Sequence, residues 1–376
     1  MLFFIPISIS LIEIFAGLAF FSFVIRKSIK PDFKFIKSWP NILLLLFFIF
    51  NALSLLNSAQ YLDKSIHALL GKWLQYLGIC VIIQDSIYDL RVMKRAMSVF
   101  LCGASLTVLS GLSQYFFGVE FLRNKSVTFM SGGKHAMTSS FAHYNGFGGY
   151  LAVALSLAAA LLLANNSFSV QSCGLFVFSI VSTVAIILTF SRGSWLGLGS
   201  ALIFISIFAK KNFTRLMPIF LVIFFMFLFS TFHERLFFIF RSGGDNDRLR
   251  YWQAALKMIN EHPFFGIGVG TFMANFPKYL SNSILSYAHN CYLQIWAETG
   301  VFSLVSFLIF ISSIVCMGIK QFVVSRDFLL LGLLSGIFSF LVRSFFDTDL
   351  YSLQLAFLFW ILSGLTVARL RIARDA

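Results

Sequence analysis

Apolar runs of membrane-spanning length recur along this chain and limit what it can fold into more than any other feature. A helix needs roughly 20 apolar residues to cross a bilayer. Runs near that length fall at 3–25, 41–57, 66–84, 96–117, 147–164, 174–190, 194–209, 216–232, 300–318, 328–345 and 350–368. With 59% hydrophobic residues, 49 phenylalanines and only 12% charged residues, the 376 residues hold more apolar surface than a water-soluble core can hide. Lipid offers the backbone no hydrogen-bond partner, so each span is expected to be a helix unless the chain closes a barrel. The run LLLLFFIF at 43–50 is lipophilic on every face and lacks the alternation of a barrel strand. The expectation is an all-α, polytopic membrane protein of about eleven spans, with residues 1–376 forming a single membrane domain.

Orientation follows from the short basic loops, which stay cytoplasmic. Arg26, Lys27, Lys30, Lys34 and Lys37 follow the first span, and Arg91, Lys94 and Arg95 the third. Lys210, Lys211 and Arg215 follow the seventh, Lys320 and Arg326 the ninth, and Arg369, Arg371 and Arg374 end the sequence. Threading eleven spans puts all of these on one side, with the N-terminus outside the cytoplasm and the C-terminus within it. The loop 118–146 and the segment 233–299 then lie outside. The net charge of +14 is spread over many loops and not gathered on one face, which argues against a nucleic-acid partner. The first span has neither a basic leader nor a small-residue cleavage site and is expected to remain as an anchor. Five cysteines, three of them inside spans and Cys173 at the edge of one, imply no disulfide framework. No internal repeat is visible.

Polar residues concentrate between Phe190 and Gly300. Arg192, in TFSRGSWLGL, sits in a tight turn between two spans on the external side, where it either snorkels to headgroups or meets an anion. The stretch GGDNDRLRYWQAALKMINEHPFFGIGVGTF predicts a helix capped by Asp245 or Asn246 and stopped at His262-Pro263. Leu249, Trp252, Leu256 and Ile259 form its apolar stripe, and Arg248 and Arg250 each stand about 100° from Leu249. Those arginines either grip lipid phosphates or clamp a pyrophosphate. GIGVGTF follows a helix with no strand before it, so it reads as a turn and not as a dinucleotide loop. His289 precedes a second short helix expected from about Asn290 to Gly300. There the macrodipole disfavours the imidazolium, leaving either a structural histidine or a general base. Glu298, near the end of that helix, is expected to pair with a cation. The segment 233–299 is thus an external loop with two short amphipathic helices.

Four further features complete the reading. Lys72 lies inside the third span, about 9 Å from its external end, and either snorkels outward or reaches a phosphate. His143, Tyr144 and Asn145 sit where the external loop 118–146 meets the next span; they either contact sugar hydroxyls or cap the helix. Asp245 and Asp247, and likewise Asp347 and Asp349, are acidic pairs two residues apart. Helix capping explains the first and pairing of Asp347 with Arg343, one turn earlier, explains the second. A divalent metal on Asp245 and Asp247 is the minority reading.

Together FAHYNGFGGYL (141–151), TFSRGSWLGL, RLRYW followed by AALKMINEHPFFGIGVGTF, and AHNCYLQIWAETG resemble the O-antigen ligase and polymerase superfamily of bacterial membrane glycosyltransferases. The resemblance covers about the C-terminal two thirds of the chain. It implies an enzyme of the inner membrane whose site faces the periplasm. It also implies Arg192 and Arg248 on the donor pyrophosphate, with Arg250 a weaker assignment, and His289 acting on the acceptor hydroxyl. The donor implied is a glycan on undecaprenyl diphosphate, and the acceptor a lipid A core or a second carrier-linked glycan. Transfer would invert the anomeric centre without a metal or other cofactor. Ligase is the leading reading and polymerase the runner-up. A polysaccharide transporter or flippase is the alternative of another class, disfavoured because ionisable residues near the midplane are few.

Overall fold

The computed structural model describes residues 1–32, 38–125, 128–129, 135–164, 169–209, 214–227, 246–280 and 286–375. Lys34, Lys37, Lys134, Lys210, Lys211 and Asp245 lie outside them. The chain is all-helical apart from one short antiparallel pair, β1 (Thr128–Phe129) with β2 (His135–Ala136), in which Thr128 faces Ala136. Its α-helices are α1 (Ile9–Ile29), α2 (Trp39–Leu53), α3 (Leu62–Ala68), α4 (Leu74–Ser86), α5 (Leu90–Phe117), α6 (Tyr144–Ala164) and α7 (Val170–Leu188). They continue with α8 (Arg192–Ala209), α9 (Met217–Phe227), α10 (Asn246–Glu261), α11 (Phe272–Tyr279), α12 (Cys291–Ser325), α13 (Phe328–Arg343) and α14 (Leu353–Asp375). Among the described residues nine helices are long and apolar enough to cross a membrane, and α13 and Thr214–Ile223 are shorter apolar helices.

A helix stands at the place of each apolar run, but several bounds differ from those expected. The first begins at Ile9 and not at 3, because Ser8 is the N-cap and its hydroxyl accepts from the Leu11 amide. It runs on through Arg26 and Lys27, as α14 runs on to Asp375, since long basic side chains let a helix continue past the hydrocarbon. The third run is not one regular helix. α3 and α4 are joined by a π-helical turn over Leu69–Trp73, and Lys72 sits in it.

The middle of the bundle is set by which helices lack polar faces. The apolar window of α6 is 89% buried and that of α1 only 11%, so α6 is an inner helix and α1 faces outward. α13 packs against α6 and α8, α12 against α2, and α14 against α4. Trp360 of α14 is fully buried among Phe47, Phe307, Phe310 and Phe359, with ring centroids 5.1 to 6.2 Å away. The five cysteines are unpaired.

The glycine-rich segment after α10 is a turn that closes the first part of α12. That helix starts at Asn290, whose side-chain oxygen accepts from the Tyr292 and Leu293 amides, and breaks at Gly300, where φ is 82°. The break leaves carbonyls without intrahelical partners. Ile267 N–H donates to Ala297 O and Gly268 N–H to Glu298 O, both at 2.9 Å, while Val301 N–H donates to Pro263 O at 2.9 Å. A Cβ on Gly300 would lie 1.9 Å from the Phe264 carbonyl oxygen. We therefore expect Gly300→Ala to lower unfolding free energy by roughly 2–4 kcal/mol. Gly17→Ala, on α1 with nothing within 4 Å, should change it little. Thermal unfolding of the detergent-solubilised protein compares the two.

Candidate active site

α13 ends on Arg343, whose side chain is only 2% exposed. A guanidinium so buried must have its N–H donors matched. Nε donates to Ser194 Oγ at 3.2 Å and Nη2 to the Asn145 carbonyl at 2.6 Å. Nη2 also reaches Asp347 Oδ2 at 3.2 Å, and Nη1 donates to Asp349 Oδ1. The expected pairing of Arg343 with Asp347 is therefore present and extends to Asp349. Gly149 of α6 makes the room, because a Cβ there would stand 2.3 Å from Nη1.

His289 adjoins this cluster. Its backbone is left-handed, with φ 48°, immediately before the Asn290 cap. Nδ1 lies 3.2 Å from Asp347 Oδ1 and Nε2 lies 3.0 Å from Ser286 Oγ. The Tyr251 ring of α10 is stacked on the imidazole with centroids 5.9 Å apart. The Cys291 amide donates to Ser344 O at 2.8 Å and its thiol to Asp347 O at 3.4 Å, so the start of α12 is tied to the end of α13.

The electrostatics separate the two acids. Burial alone would raise Asp347, but its hydrogen bond from His289 and the Arg343 charge outweigh that and hold its carboxyl well below the usual carboxylate range. Burial pushes Asp349 up to about 7 against the pull of Arg343, and its Oδ2 is buried without a hydrogen-bond partner. Burial lowers His143, opposed by Asp347 and assisted by His289 and Arg343. In the neutral form of the His289 imidazole, an ionised Asp347 makes Nδ1 the donor nitrogen, which leaves Nε2 with its lone pair toward a hydroxyl.

The sequence candidates divide into groups. His143 and Asn145 lie at this cluster; the Asn145 amide meets His143 Nδ1 at 3.3 Å, and the His143 carbonyl accepts from Phe147, so both also shape the start of α6. Arg192 opens α8, half-buried and two residues before Ser194. Arg248 is half-buried on α10, one turn before Tyr251, and so shares the face that meets His289. Arg250 is exposed and about 100° away from Tyr251 around the helix. Asn290 serves as the cap described above. Lys72 is in another place, lining a cavity of about 210 Å³ with Lys64, His67, Tyr287, Glu298 and Tyr351.

Two expectations are corrected. Glu298 has no cation partner among the described residues. It is fully buried, accepts from the Gly270 and Phe272 amides at 2.8 and 3.2 Å and from Gln294 at 3.0 Å, and so caps α11 from a neighbouring helix. The apolar face of α10 matches the predicted stripe at Ile259 but not at Leu249 and Leu256. Ala254, Ala255, Met258 and Ile259 are buried with Tyr251 against them, while Leu249 and Leu256 are 52% and 46% exposed. Small alanines allow closer helix packing than the leucine stripe would. Asp245 and the Asp247 side chain lie outside the described residues. Arg343 and Ser194 were missed as site residues; the signal for the first was an arginine one helical turn before Asp-Thr-Asp.

Fold and cluster define a multi-pass, all-helical membrane protein with a histidine–carboxylate–arginine array at one end of its helices. Residues 174–308, about a third of the chain, match the family model described as O-Antigen ligase. The match contains Arg192, Arg248, Arg250 and His289 and stops short of Arg343 and Asp347. No curated protein matches the chain.

Removing Arg343 would leave buried acid without its counter-charge, a change that typically costs about 3–5 kcal/mol. We expect Arg343→Met to be destabilised by that amount and Asp349→Asn by less. Asp347 titrates lower in the folded chain than its ordinary value of 3.8. Its stabilising contribution is therefore complete above that value and declines as pH falls below it toward the folded value. Thermal unfolding between pH 3 and 6 should show an acid-side decline in the wild type that is smaller in Asp347→Asn.

Proposed function

We propose that the chain is a lipid-linked glycan transferase of the ligase type. It moves a glycan from undecaprenyl diphosphate to a hydroxyl of lipid A core, on the periplasmic face of the bacterial inner membrane. The observation that supports this above the others is the pair of contacts on His289, with Nδ1 toward Asp347 and Nε2 toward a hydroxyl. A neutral imidazole so arranged is a general base for an acceptor O–H. The matched family supports an O-antigen ligase or polymerase-like activity at the coarser level.

In the proposed reaction the acceptor O–H takes the position of the Ser286 hydroxyl at Nε2. Nε2 receives the proton while the acceptor oxygen attacks the anomeric carbon from the face opposite the diphosphate. The bond from that carbon to the phosphate oxygen breaks, and undecaprenyl diphosphate leaves with the electron pair, which inverts the centre. Asp347 stabilises the imidazolium that forms and keeps the ring in the productive tautomer. Arg192 and Arg248 stabilise the charge that develops on the diphosphate, a role suited to a planar multi-donor cation. Arg343 acts on none of the reacting atoms; it holds Asp347. The polymerase reading uses the same donor and the same base and differs only in the acceptor.

Purified protein, given carrier-linked oligosaccharide with lipid A core and a second carrier-linked repeat together, should place glycan on lipid A core. Elongation of the carrier-linked repeat would assign polymerase, and His289→Ala should abolish either product. Asp347→Asn is expected to lower kcat by roughly 10²–10⁴ with little change in KM, because an asparagine no longer fixes the tautomer. A chelator should leave the rate unchanged. Transfer to neither acceptor would return the chain to the transporter reading.

A further inference from the structure

The cations at the end of α1 and those near the end of α14 are far apart in sequence, yet five of them line one cavity of about 1070 Å³: Arg26, Lys27, Lys30, Arg371 and Arg374. Asp32, Asp85 and Asp375 line it as well, so among the described residues the wall carries five positive groups against three negative ones, a net of two positive. Asp85 is held by Arg26 and by Lys27 Nζ at 2.9 Å. Arg371 gives one hydrogen bond to the Ile87 carbonyl at 2.8 Å, and neither it nor Lys30 is paired with a carboxylate among the described residues. Loop charges that only set topology need not converge; these do.

Met317 lines this cavity and also a second, largely apolar one of about 540 Å³ that follows α12. Val305 and Ile309 line its far part, and Trp39 and Lys320 also border it. From Val305 to Lys320 the helix rises about 22 Å, more than the roughly 15 Å depth of one leaflet's hydrocarbon. Lys320 lies about 30 Å of helix beyond the break at Gly300, on the far side of it from Asn290, so both cavities belong to the end of the bundle remote from His289.

We propose that cavity and groove together hold one anionic phospholipid. Its phosphodiester lies among Lys30, Arg371 and Arg374, and an acyl chain follows α12 past Met317. Basic pockets between spanning helices attract anionic headgroups, and a guanidinium suits phosphate oxygens through paired donors. The apolar continuation selects an amphiphile over a free phosphate. The excess positive charge disfavours the ammonium of a zwitterionic lipid.

The test is thermal unfolding and native mass spectrometry of the full chain in detergent. It is titrated with phosphatidylglycerol, with phosphatidylcholine of the same acyl chains, and with glycerol 3-phosphate. Phosphatidylglycerol should stabilise at a concentration about tenfold lower than phosphatidylcholine, and glycerol 3-phosphate should not stabilise. Lys30→Gln with Arg371→Gln should raise the half-saturating concentration at least about tenfold. Ser313→Trp, which fills the groove away from Lys30, Arg371 and Arg374, should reduce retained lipid in the mass spectrum even if the charge variant does not fold. Equal response to the two lipids, a shift from glycerol 3-phosphate alone, or unchanged lipid retention in Ser313→Trp would each overturn the proposal.

Discussion

Removing the Arg343 guanidinium from water is the constraint around which the ends of α6, α8, α13 and α14 are arranged. The desolvation of an isolated buried charge is large, and only a near-complete set of partners offsets it. Those partners come from separate segments: Ser194 at the start of α8, the Asn145 carbonyl at the start of α6, and two aspartates between α13 and α14. Each contact fixes where one helix begins relative to another. The glycine at 149 follows from the same constraint, since any side chain there would occupy the space of the guanidinium. Asp349 is only partly satisfied, and its burial-raised pKa of about 7 shows that Asp347 is the firmer anion of the two.

That division of labour links packing to chemistry. A carboxylate held ionised by Arg343 is available to orient His289, and the Cys291 contacts keep the imidazole at a fixed height against it. The histidine reaches its position only through a left-handed backbone, a conformation that a β-carbon makes costly and that the surrounding bonds must hold. The cap at Asn290, the break at Gly300 and the glycine turn behind it constrain the helix that follows His289 at both ends.

Much of this was legible in the residues, and the remainder fails for identifiable reasons. Apolar length marks where the helices lie because lipid imposes one solution on every span. It marks their ends poorly, since Arg26 and Lys27 extend α1 beyond the apolar run. The cap at Asn290 and the stop at Gly300 were readable because capping chemistry is local. The pairing of Arg343 with Asp347 was readable because the residues are one turn apart; the further reach to Ser194, some 149 positions away, was not. Glu298 misled because a carboxylate near a helix C-terminus suggests a cation, whereas its actual partners are amides of a segment about 28 residues earlier. The π-helical turn at Lys72 and the convergence of Lys30 with Arg371 likewise depend on tertiary packing.

The face that α10 buries bears directly on the proposed chemistry. Had the stripe of Leu249, Trp252 and Leu256 been its inner face, the helix would be anchored through long side chains, with Tyr251 turned off to the side. Burial of Ala254, Ala255 and Met258 instead seats it closely on α12 and brings Tyr251 onto His289. Arg248, one turn before Tyr251, is carried to the same side by backbone geometry alone, and Arg250 is carried away. In the proposed transfer the distance between base and pyrophosphate clamp is therefore set by two packed helices. Preorganised charge of this kind need not reorient as the diphosphate departs. Leu249 and Leu256, left exposed by the same rotation, give α10 an apolar outer surface at the level of the site, as a helix lying against lipid requires.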